Sequence, residues 1–347
     1  MMMRRWLAVA VATVLIPGVM SVSSATAGAE GVASPRPARA TTAADAPVRV
    51  WEWRPPDSNW ADLMAGLSGA ATVGATHVTI DLTRLVDISE IPDPAKRTGA
   101  DEAFRQRLVD YTTAAAARGM TVSAVVGTPA WAAANSRYLA GTVTGWVRRF
   151  NASQPRAQRL TALEVDVEPW VTPQWQSNAQ RLLVIEWLRF IDQMRTEQRA
   201  LPAAEQIPLR VDVPFWFDGS GTPASVRYGG KTMSATDHVL RLLDYRGASG
   251  NAVVVMAYRD TVTGANGSAA LVAAEFAAAA RRGGRVAVVI GQDTAPTDTE
   301  PEWVTFAEEG RTQLLAAMDE LSGRFGHEAA FAGFSVNHAH HLATWLP

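Results

Sequence analysis

The segment LEVDVEPW, residues 163–170, alternates apolar and acidic side chains until a proline ends it. In an extended strand this alternation puts the apolar side chains on one face and those of Glu164, Asp166 and Glu168 on the other. The apolar face packs against helices, so the three carboxylates point away from them. In a closed barrel that direction is the interior, and the segment therefore predicts a barrel strand that carries acids inward.

The rest of the chain repeats the same unit of a short apolar strand followed by an amphipathic helix. The predicted strands are 48–53, 76–82, 121–127, 160–169, 209–217, 252–258, 285–291 and 332–337. The predicted helices include 101–118, 179–199, 235–243, 269–282 and 308–325. Eight such units predict an α/β protein, a single (β/α)₈ TIM barrel. The alternative is a doubly wound open sheet, which favours a glycine-rich turn after the first strand, but that turn reads WRPPD at 53–57.

The N-terminal residues have the pattern of an export signal. Arg4 and Arg5 precede an apolar run at 6–20, and small residues follow at 23–29. This predicts a bacterial-type Sec signal peptide over 1–29 that is cleaved rather than kept as an anchor, because Pro17 interrupts the run. Residues 30–46 are rich in Ala, Pro and Thr and predict a disordered mature N-terminus. The catalytic barrel is predicted over 47–347, in a secreted protein without membrane contact after cleavage.

Composition narrows the classes of function. The formal net charge is −2 and no long basic run occurs, so nucleic acid is not an expected partner. The chain has no cysteine, which excludes thiol catalysis and thiolate metal sites. The HAHH sequence at 338–341 does not have the spacing of a helical zinc site, so no metal is predicted. We expect no cofactor either, and we expect a monomer.

Three acids on one inward face are costly unless they are protonated, paired or functional. Glu164 lies deepest, and a buried ion-pair network with Arg210 and Asp212 of the next strand would explain why an acid is placed there. Glu168 lies at the strand end, where barrel enzymes hold their active sites. Clustered carboxyls raise one another's pKa, and a carboxyl that stays protonated can donate a proton to a glycosidic oxygen.

The run EVDVE at 164–168 resembles the end of the D-x-x-D-x-D-x-E signature of family 18 glycoside hydrolases, the chitinases and endo-β-N-acetylglucosaminidases. Met256-Ala257-Tyr258 on the sixth predicted strand is similar to the M-x-Y-D element of that family. The resemblance implies a TIM barrel in which Glu168 is the general acid/base. Asp166 would orient the 2-acetamido group of the substrate, whose oxygen acts as nucleophile, and Tyr258 would hydrogen-bond that group.

The chain departs from the family pattern at several positions. Glu164 stands where the family has Asp, and Arg259 follows Tyr258 where the family has Asp. No S-x-G-G occurs on the third strand, and Asn337-His338 stands where a tryptophan would form the floor of the sugar site.

Two alternatives stay open. Val167-Glu168-Pro169 also resembles the N-E-P of cellulase-like retaining barrels, in which Glu168 would be the acid/base and a carboxylate such as Asp293 the nucleophile. The second alternative is a sugar-binding barrel without catalysis. The presence of Glu168 favours the hydrolase, because lectin-like relatives lack the terminal glutamate.

The ends of the other strands suggest a sugar-binding mouth. The chain has twelve Trp and five Tyr, and aromatic rings stack on sugar faces while polar side chains bind hydroxyls. The predicted substrate-binding residues are Trp51, Glu52, Asp81, Trp131, Trp170, Trp216, Asp293, Asn337 and His338. Glu164, Arg210 and Asp212 are predicted to set the charge of Asp166 and Glu168. The sequence thus predicts a secreted glycoside hydrolase that cleaves a polysaccharide, with chitin or a cell-wall glycan containing N-acetylhexosamine as the implied substrate.

Overall fold

The structure is a computed structural model that describes residues 46–177, 179–245 and 250–346. The predicted signal peptide over 1–29 lies outside the described residues, as does the segment 30–45. The strands are β1 Val48–Glu52, β2 His77–Asp81, β3 Thr121–Val126, β4 Leu163–Val165, β5 Leu209–Pro214, β6 Val226–Tyr228, β7 Lys231–Met233, β8 Ala252–Met256, β9 Ala287–Asp293 and β10 Phe331–Asn337.

Eight of these strands close into a parallel barrel in the order β1-β10-β9-β8-β5-β4-β3-β2. The first strand pairs with both β2 and β10, so the sheet closes on itself. This confirms the predicted TIM barrel and excludes the doubly wound open sheet, which would end in two edge strands. The antiparallel hairpin β6–β7 is an insertion after β5 that the sequence analysis did not predict.

Helices cover the outside of the barrel. They are α1 Trp60–Thr72, α2 Arg84–Ser89, α3 Pro94–Ala116, α4 Tyr138–Ser153, α5 Gln180–Ala200, α6 Ala235–Leu243, α7 Ser268–Ala280, α8 Gly310–Phe325 and α9 Ala339–Thr344. The third helix begins at Pro94, seven residues before the predicted start at Asp101, because the Asp93 side chain accepts the backbone N–H of Ala95 at 2.9 Å and caps it. In the described part of the chain, no helix is long and apolar enough to cross a membrane.

The alternation of side chains divides the core into two layers. Residues such as Val165, Val211 and Val253 pack outward against the helices. Trp51 and Val254 belong to a smaller cluster inside the barrel. Successive strand residues therefore face opposite layers, and the acids of β4 share the parity of the inner layer.

The fourth strand is shorter than predicted. It ends at Val165 rather than at Pro169, although the N–H of Asp166 still donates to the carbonyl of Val126 at 3.0 Å. Proline has no N–H for the ladder, and Pro169 starts a 3₁₀ turn instead. A Cβ atom at Gly127 would lie 1.8 Å from the Asp166 carbonyl oxygen, so only glycine allows β3 to approach the chain here.

Candidate active site

The β4 segment places its acids at two depths in the barrel. Glu164 is completely buried, whereas Asp166 and Glu168 are partly exposed at the carboxyl end. Val167 between them is fully buried in the outer layer. Asp166 and Glu168 therefore point into the mouth of the barrel, which is the face where barrel enzymes carry out their chemistry.

Glu164 belongs to a polar layer below the mouth. Its Oε1 accepts the indole N–H of Trp51, and its Oε2 lies 3.7 Å from Nη1 of Arg210. Burial raises the pKa of Glu164, while Arg210, the Trp51 hydrogen bond and Arg49 act in the opposite direction. Arg210 thus pairs with Glu164, as the sequence analysis considered for this deepest acid. Trp51 is 1% exposed, so its position leaves a sugar no access to the ring.

The carboxyls of the mouth hold protons unusually well. Burial raises the pKa of Glu168 to about 7, with a further contribution from the charge of Glu300. Burial also raises the pKa of Asp166 well above its usual range, followed by the charges of Glu168, Glu164 and Asp81. Near neutral pH, Glu168 is therefore divided about equally between a proton donor and a proton acceptor.

Asp212 is the buried carboxyl of the neighbouring strand. It is 1% exposed, and neither carboxylate oxygen has a hydrogen-bond partner among the described residues. Burial raises its pKa strongly, and the charges of Glu164, Asp166 and Glu168 add to that rise, while Arg210 opposes it. Asp212 therefore belongs to the same electrostatic cluster as the acids of β4.

Tyr258 and Asp293 form the wall of the mouth at β8 and β9. The Tyr258 ring covers Gly291, where a Cβ atom would lie 3.2 Å from Cε1 of the ring. Burial raises the pKa of Tyr258 well above its usual range, followed by the charges of Asp293, Asp212, Asp166 and Glu168. The phenol therefore stays protonated and lies among the acids that the sequence analysis selected.

Asp293 is held rigidly through one of its two oxygens. Its Oδ1 accepts the backbone N–H groups of Thr294 at 2.9 Å and Ala295 at 3.1 Å, and Nδ2 of Asn337 at 2.7 Å. Asn337 in turn accepts the indole N–H of Trp53 at 2.7 Å. In the described chain nothing hydrogen-bonds Oδ2, and burial raises the pKa of Asp293 to about 7.

Glu300 is a mouth residue that the sequence analysis missed. It is half-buried in the loop after β9, and its charge raises the pKa of both Glu168 and Asp293. Sequence reasoning considered residues at or within a few positions of each strand end, whereas Glu300 lies seven positions after Asp293. The signal that could have found it is the acidic composition of this loop.

Several predicted substrate-binding residues have other contacts in the structure. Glu52 is completely buried and its two oxygens bind the guanidinium of Arg54 at 2.6 and 2.7 Å, so the carboxylate is not available to a ligand. Trp131 is 6% exposed and packs against Phe190 of α5. The mouth therefore has fewer aromatic side chains from these strand ends than expected.

The remaining predicted residues differ in exposure. Trp170 is buried and packs edge-on against Trp216, with ring centroids 6.0 Å apart. Trp216 itself is partly exposed. Asp81 accepts the N–H of Thr83 at 2.8 Å through Oδ1, and its charge raises the pKa of Asp166, which places it close to the acids.

The histidines after β10 pack on one another. His338 lies 4.0 Å from His341 and 5.9 Å from His340, measured between ring centroids. Burial lowers the pKa of His338 to about 3, and the other two histidines and Arg54 add to the effect, so the ring is neutral. Among the described residues, no group of three or more His, Asp or Glu side chains is arranged to hold a metal ion.

Comparison with known proteins identifies the fold. The sequence matches no protein-family model and no curated protein. The chain is similar in structure to a GH18 chitinase from Pseudoalteromonas aurantia, with a TM-score of 0.52, 10% identity and coverage of 84% of this chain and 93% of that one. A GH5-4 broad specificity endoglucanase from Clostridium acetobutylicum is similar with a TM-score of 0.52 and 13% identity, over 86% of this chain and 89% of that one. The catalytic domain of a β-amylase from Paenibacillus polymyxa is similar with a TM-score of 0.50 and 9% identity, over 85% of this chain and 92% of that one. At these identities the likeness concerns the barrel fold.

Proposed function

We propose that the protein is a glycoside hydrolase in which Glu168 is the general acid/base. The observation that carries this proposal is the state of Glu168, a partly exposed carboxyl at the carboxyl end of β4 whose pKa is about 7. A general acid works best when its pKa lies near the working pH, because it must first donate a proton and then recover one. The solved structures that share this barrel include a chitinase, an endoglucanase and a β-amylase, which agrees with the proposal.

The proposed reaction uses the proton of Glu168 to release the leaving sugar. The proton passes to the glycosidic oxygen as the bond from that oxygen to the anomeric carbon breaks. A nucleophile then bonds to the anomeric carbon. In the second step the oxygen of a water molecule bonds to that carbon as the bond to the nucleophile breaks, and the water's proton passes to the Glu168 carboxylate. The resemblance of residues 164–168 and 256–258 to family 18 makes the 2-acetamido oxygen of an N-acetylhexosamine the proposed nucleophile, with Asp166 and Tyr258 positioning that group.

Asp293 is the alternative nucleophile. Its Oδ2 has no hydrogen-bond partner in the described chain, and its Oδ1 is fixed by three donors. A nucleophilic carboxylate must be ionised, however, and a pKa of about 7 leaves Asp293 half protonated at neutral pH. That property supports the acetamido mechanism over the cellulase-like one.

Secretion is part of the proposal. The basic start, apolar run and small residues of 1–29 support export and cleavage. N-terminal sequencing of protein recovered from the culture medium should start after Ala27 or Ala29. A mature protein that keeps residues 1–20 would overturn this part.

Hydrolysis of labelled oligosaccharides tests the proposed activity. We expect the wild type to cleave at least one β-linked glycan and Glu168→Gln to lose about a hundredfold or more in rate, the scale of general acid catalysis. Glu320→Gln is the matched control, since Glu320 lies on α8 and pairs with Arg324 on the outer surface. Equal rates for wild type and Glu168→Gln would remove Glu168 from the mechanism, and binding without cleavage would favour a sugar-binding barrel.

A further inference from the structure

The loop that follows β9 is acidic along its whole length. Residues 293–309 contain no Lys, Arg or His. Their acids are Asp293, Asp298, Glu300, Glu302, Glu308 and Glu309. The loop is closed at its base, because the N–H of Phe306 donates to the Asp293 carbonyl at 2.9 Å and the Thr305 hydroxyl donates to the Ala295 carbonyl at 2.6 Å. Its central residues are therefore held at the mouth of the barrel.

The arginines beside the mouth already have partners. Arg54 binds both carboxylate oxygens of Glu52. Arg259 is 5% exposed, donates to the Tyr258 carbonyl at 2.6 Å and lies over the ring of Phe215. Neither guanidinium pairs with an acid of the loop, so its exposed acids, such as Asp298 and Glu308, face solvent without an ion pair in the described chain.

Trp303 stands exposed among these acids. Trp303 is 53% exposed. Its backbone carbonyl accepts the N–H of Asp260 at 3.3 Å, so the loop after β8 lies beside it. The pKa of Glu302 is raised first by the charge of Glu308 and by a hydrogen bond to that side chain, and less by Asp260, so these acids lie close together. An exposed indole beside carboxylates suits a sugar ring that carries a positive charge, through stacking and cation–π attraction.

One buried carboxyl at the base of this loop has an oxygen without a hydrogen-bond donor. Asp293 is 1% exposed, and within the described residues its Oδ2 accepts no hydrogen bond. The pKa of Asp293 is about 7, so its ionised form is well populated at neutral pH. A buried acceptor is nearly always satisfied, so this oxygen points to a ligand group that donates a hydrogen bond. An ammonium group offers three donors and no acceptor.

We propose that this mouth selects a glycan with positively charged amino groups, a polysaccharide that contains glucosamine, and that Trp303 is the platform for one of its sugar rings. The inference rests on the proposed function and adds the substrate class to it. An anionic glycan would be repelled by the loop, and a neutral glycan would leave its charge uncompensated. A glycan that contains both acetylated and free amino sugars suits the two parts of the mouth. Its acetylated residues would bind beside Asp166 and Tyr258, and its charged residues would bind beside the loop after β9.

Binding to an inactive variant tests the inference without depending on turnover. Calorimetry with Glu168→Gln would compare the hexasaccharides of glucosamine, N-acetylglucosamine and glucose at low ionic strength and pH 6. We expect the glucosamine hexasaccharide to bind at least tenfold more tightly than the other two. That preference should shrink severalfold in high salt, because at 1 M the Debye length falls to about 3 Å. Equal or tighter binding of the acetylated hexasaccharide at low salt would overturn the inference.

A second pair of variants localises the effect. Adding Trp303→Ala to Glu168→Gln should weaken binding of the glucosamine hexasaccharide at least tenfold. Adding Tyr138→Ala should leave it unchanged, since Tyr138 is 59% exposed but lies at the start of α4, with its hydroxyl on Glu90. Melting temperatures would confirm that each variant is folded, and unchanged binding by the folded Trp303 variant would overturn its role.

The same measurements separate this inference from the proposed function. Wild-type cleavage of a fully acetylated or neutral glycan without any preference for free amines would refute the inference alone. Tight, salt-sensitive binding of the glucosamine hexasaccharide with no cleavage of any glycan would refute the proposed hydrolase and leave the inference standing.

Discussion

Removing the charge of Glu300 tests how the protein keeps Glu168 protonated. The pKa of Glu168 rises from 4.5 to about 7, first through burial and second through the carboxylate of Glu300. Since burial is the larger cause, Glu300 accounts for less than half of the rise. We therefore expect Glu300→Gln to lower the pKa of Glu168 by about 0.5 to 1 unit, where one unit corresponds to about 1.4 kcal/mol.

The pH dependence of kcat/KM measures this shift. The protonated form of Glu168 must start the reaction, so the alkaline limb of the profile should fall near pH 7 in the wild type and at lower pH in Glu300→Gln. A drop of one unit leaves roughly a tenth of Glu168 protonated at pH 7 instead of about half, so kcat/KM there should fall about fivefold, with little change at pH 5. Glu320→Gln serves as the control. An unchanged alkaline limb, or one that moves to higher pH, would refute the reasoning.

Three further predictions concern stability. Glu168 has a raised pKa in the folded state, so its contribution to the free energy of unfolding is complete below the unfolded value near 4.5 and is lost as the pH rises through 7. Because histidines with a lowered pKa, such as His338, act in the opposite direction, Glu168→Gln is the reference: from pH 5 to pH 8 the melting temperature of the wild type should fall relative to that of the variant, and an unchanged difference would contradict this. Glu275 of α7 is completely buried, neither of its oxygens has a partner in the described chain, and burial raises its pKa to about 8. Denaturant unfolding at pH 9 should therefore find Glu275→Gln more stable than wild type by a few kcal/mol, at about 1.4 kcal/mol per pKa unit, and a less stable variant at pH 9 would oppose this. Gly127→Ala should lower the free energy of unfolding by at least about 2 kcal/mol, because its Cβ would overlap the carbonyl of Asp166. Gly99→Ala is the control, since a Cβ there meets no atom within 4 Å, and this variant should be neutral or stabilising. Equal effects of the two substitutions in denaturant unfolding would count against the close approach at Gly127.

The barrel could be predicted from the sequence because its signal repeats. The eight barrel strands were predicted from alternating or continuous apolar runs, and the alternation over residues 163–168 gave the inward direction of the acids. The end of β4 was placed too late, because alternation continues to Glu168 while the ladder stops at Val165. Alternation reports which face a side chain takes, and does not report where hydrogen bonding ends.

The site was only partly predictable because alternation shows which face of a strand a side chain takes but not how deep in the barrel it lies. Trp51 points into the barrel but lies a layer below the mouth, where its indole N–H donates a hydrogen bond to Glu164. Glu52 has the opposite parity and faces the helices, bound to Arg54. Glu300 was missed because it comes from a loop, whose path over the mouth is set by contacts such as Phe306 with Asp293 rather than by any period in the sequence.

The most direct test of the account compares leaving groups. A good leaving group such as 4-nitrophenolate departs without a proton, whereas a sugar alcohol needs one, so only the second substrate depends on a general acid. We predict that Glu168→Gln loses about a hundredfold or more in kcat/KM on the oligosaccharide but far less on the 4-nitrophenyl glycoside of the same sugar, because kcat/KM reports the bond-breaking step and not the later attack of water that Glu168 also assists. Equal losses on the two substrates would contradict the claim that Glu168 delivers the proton.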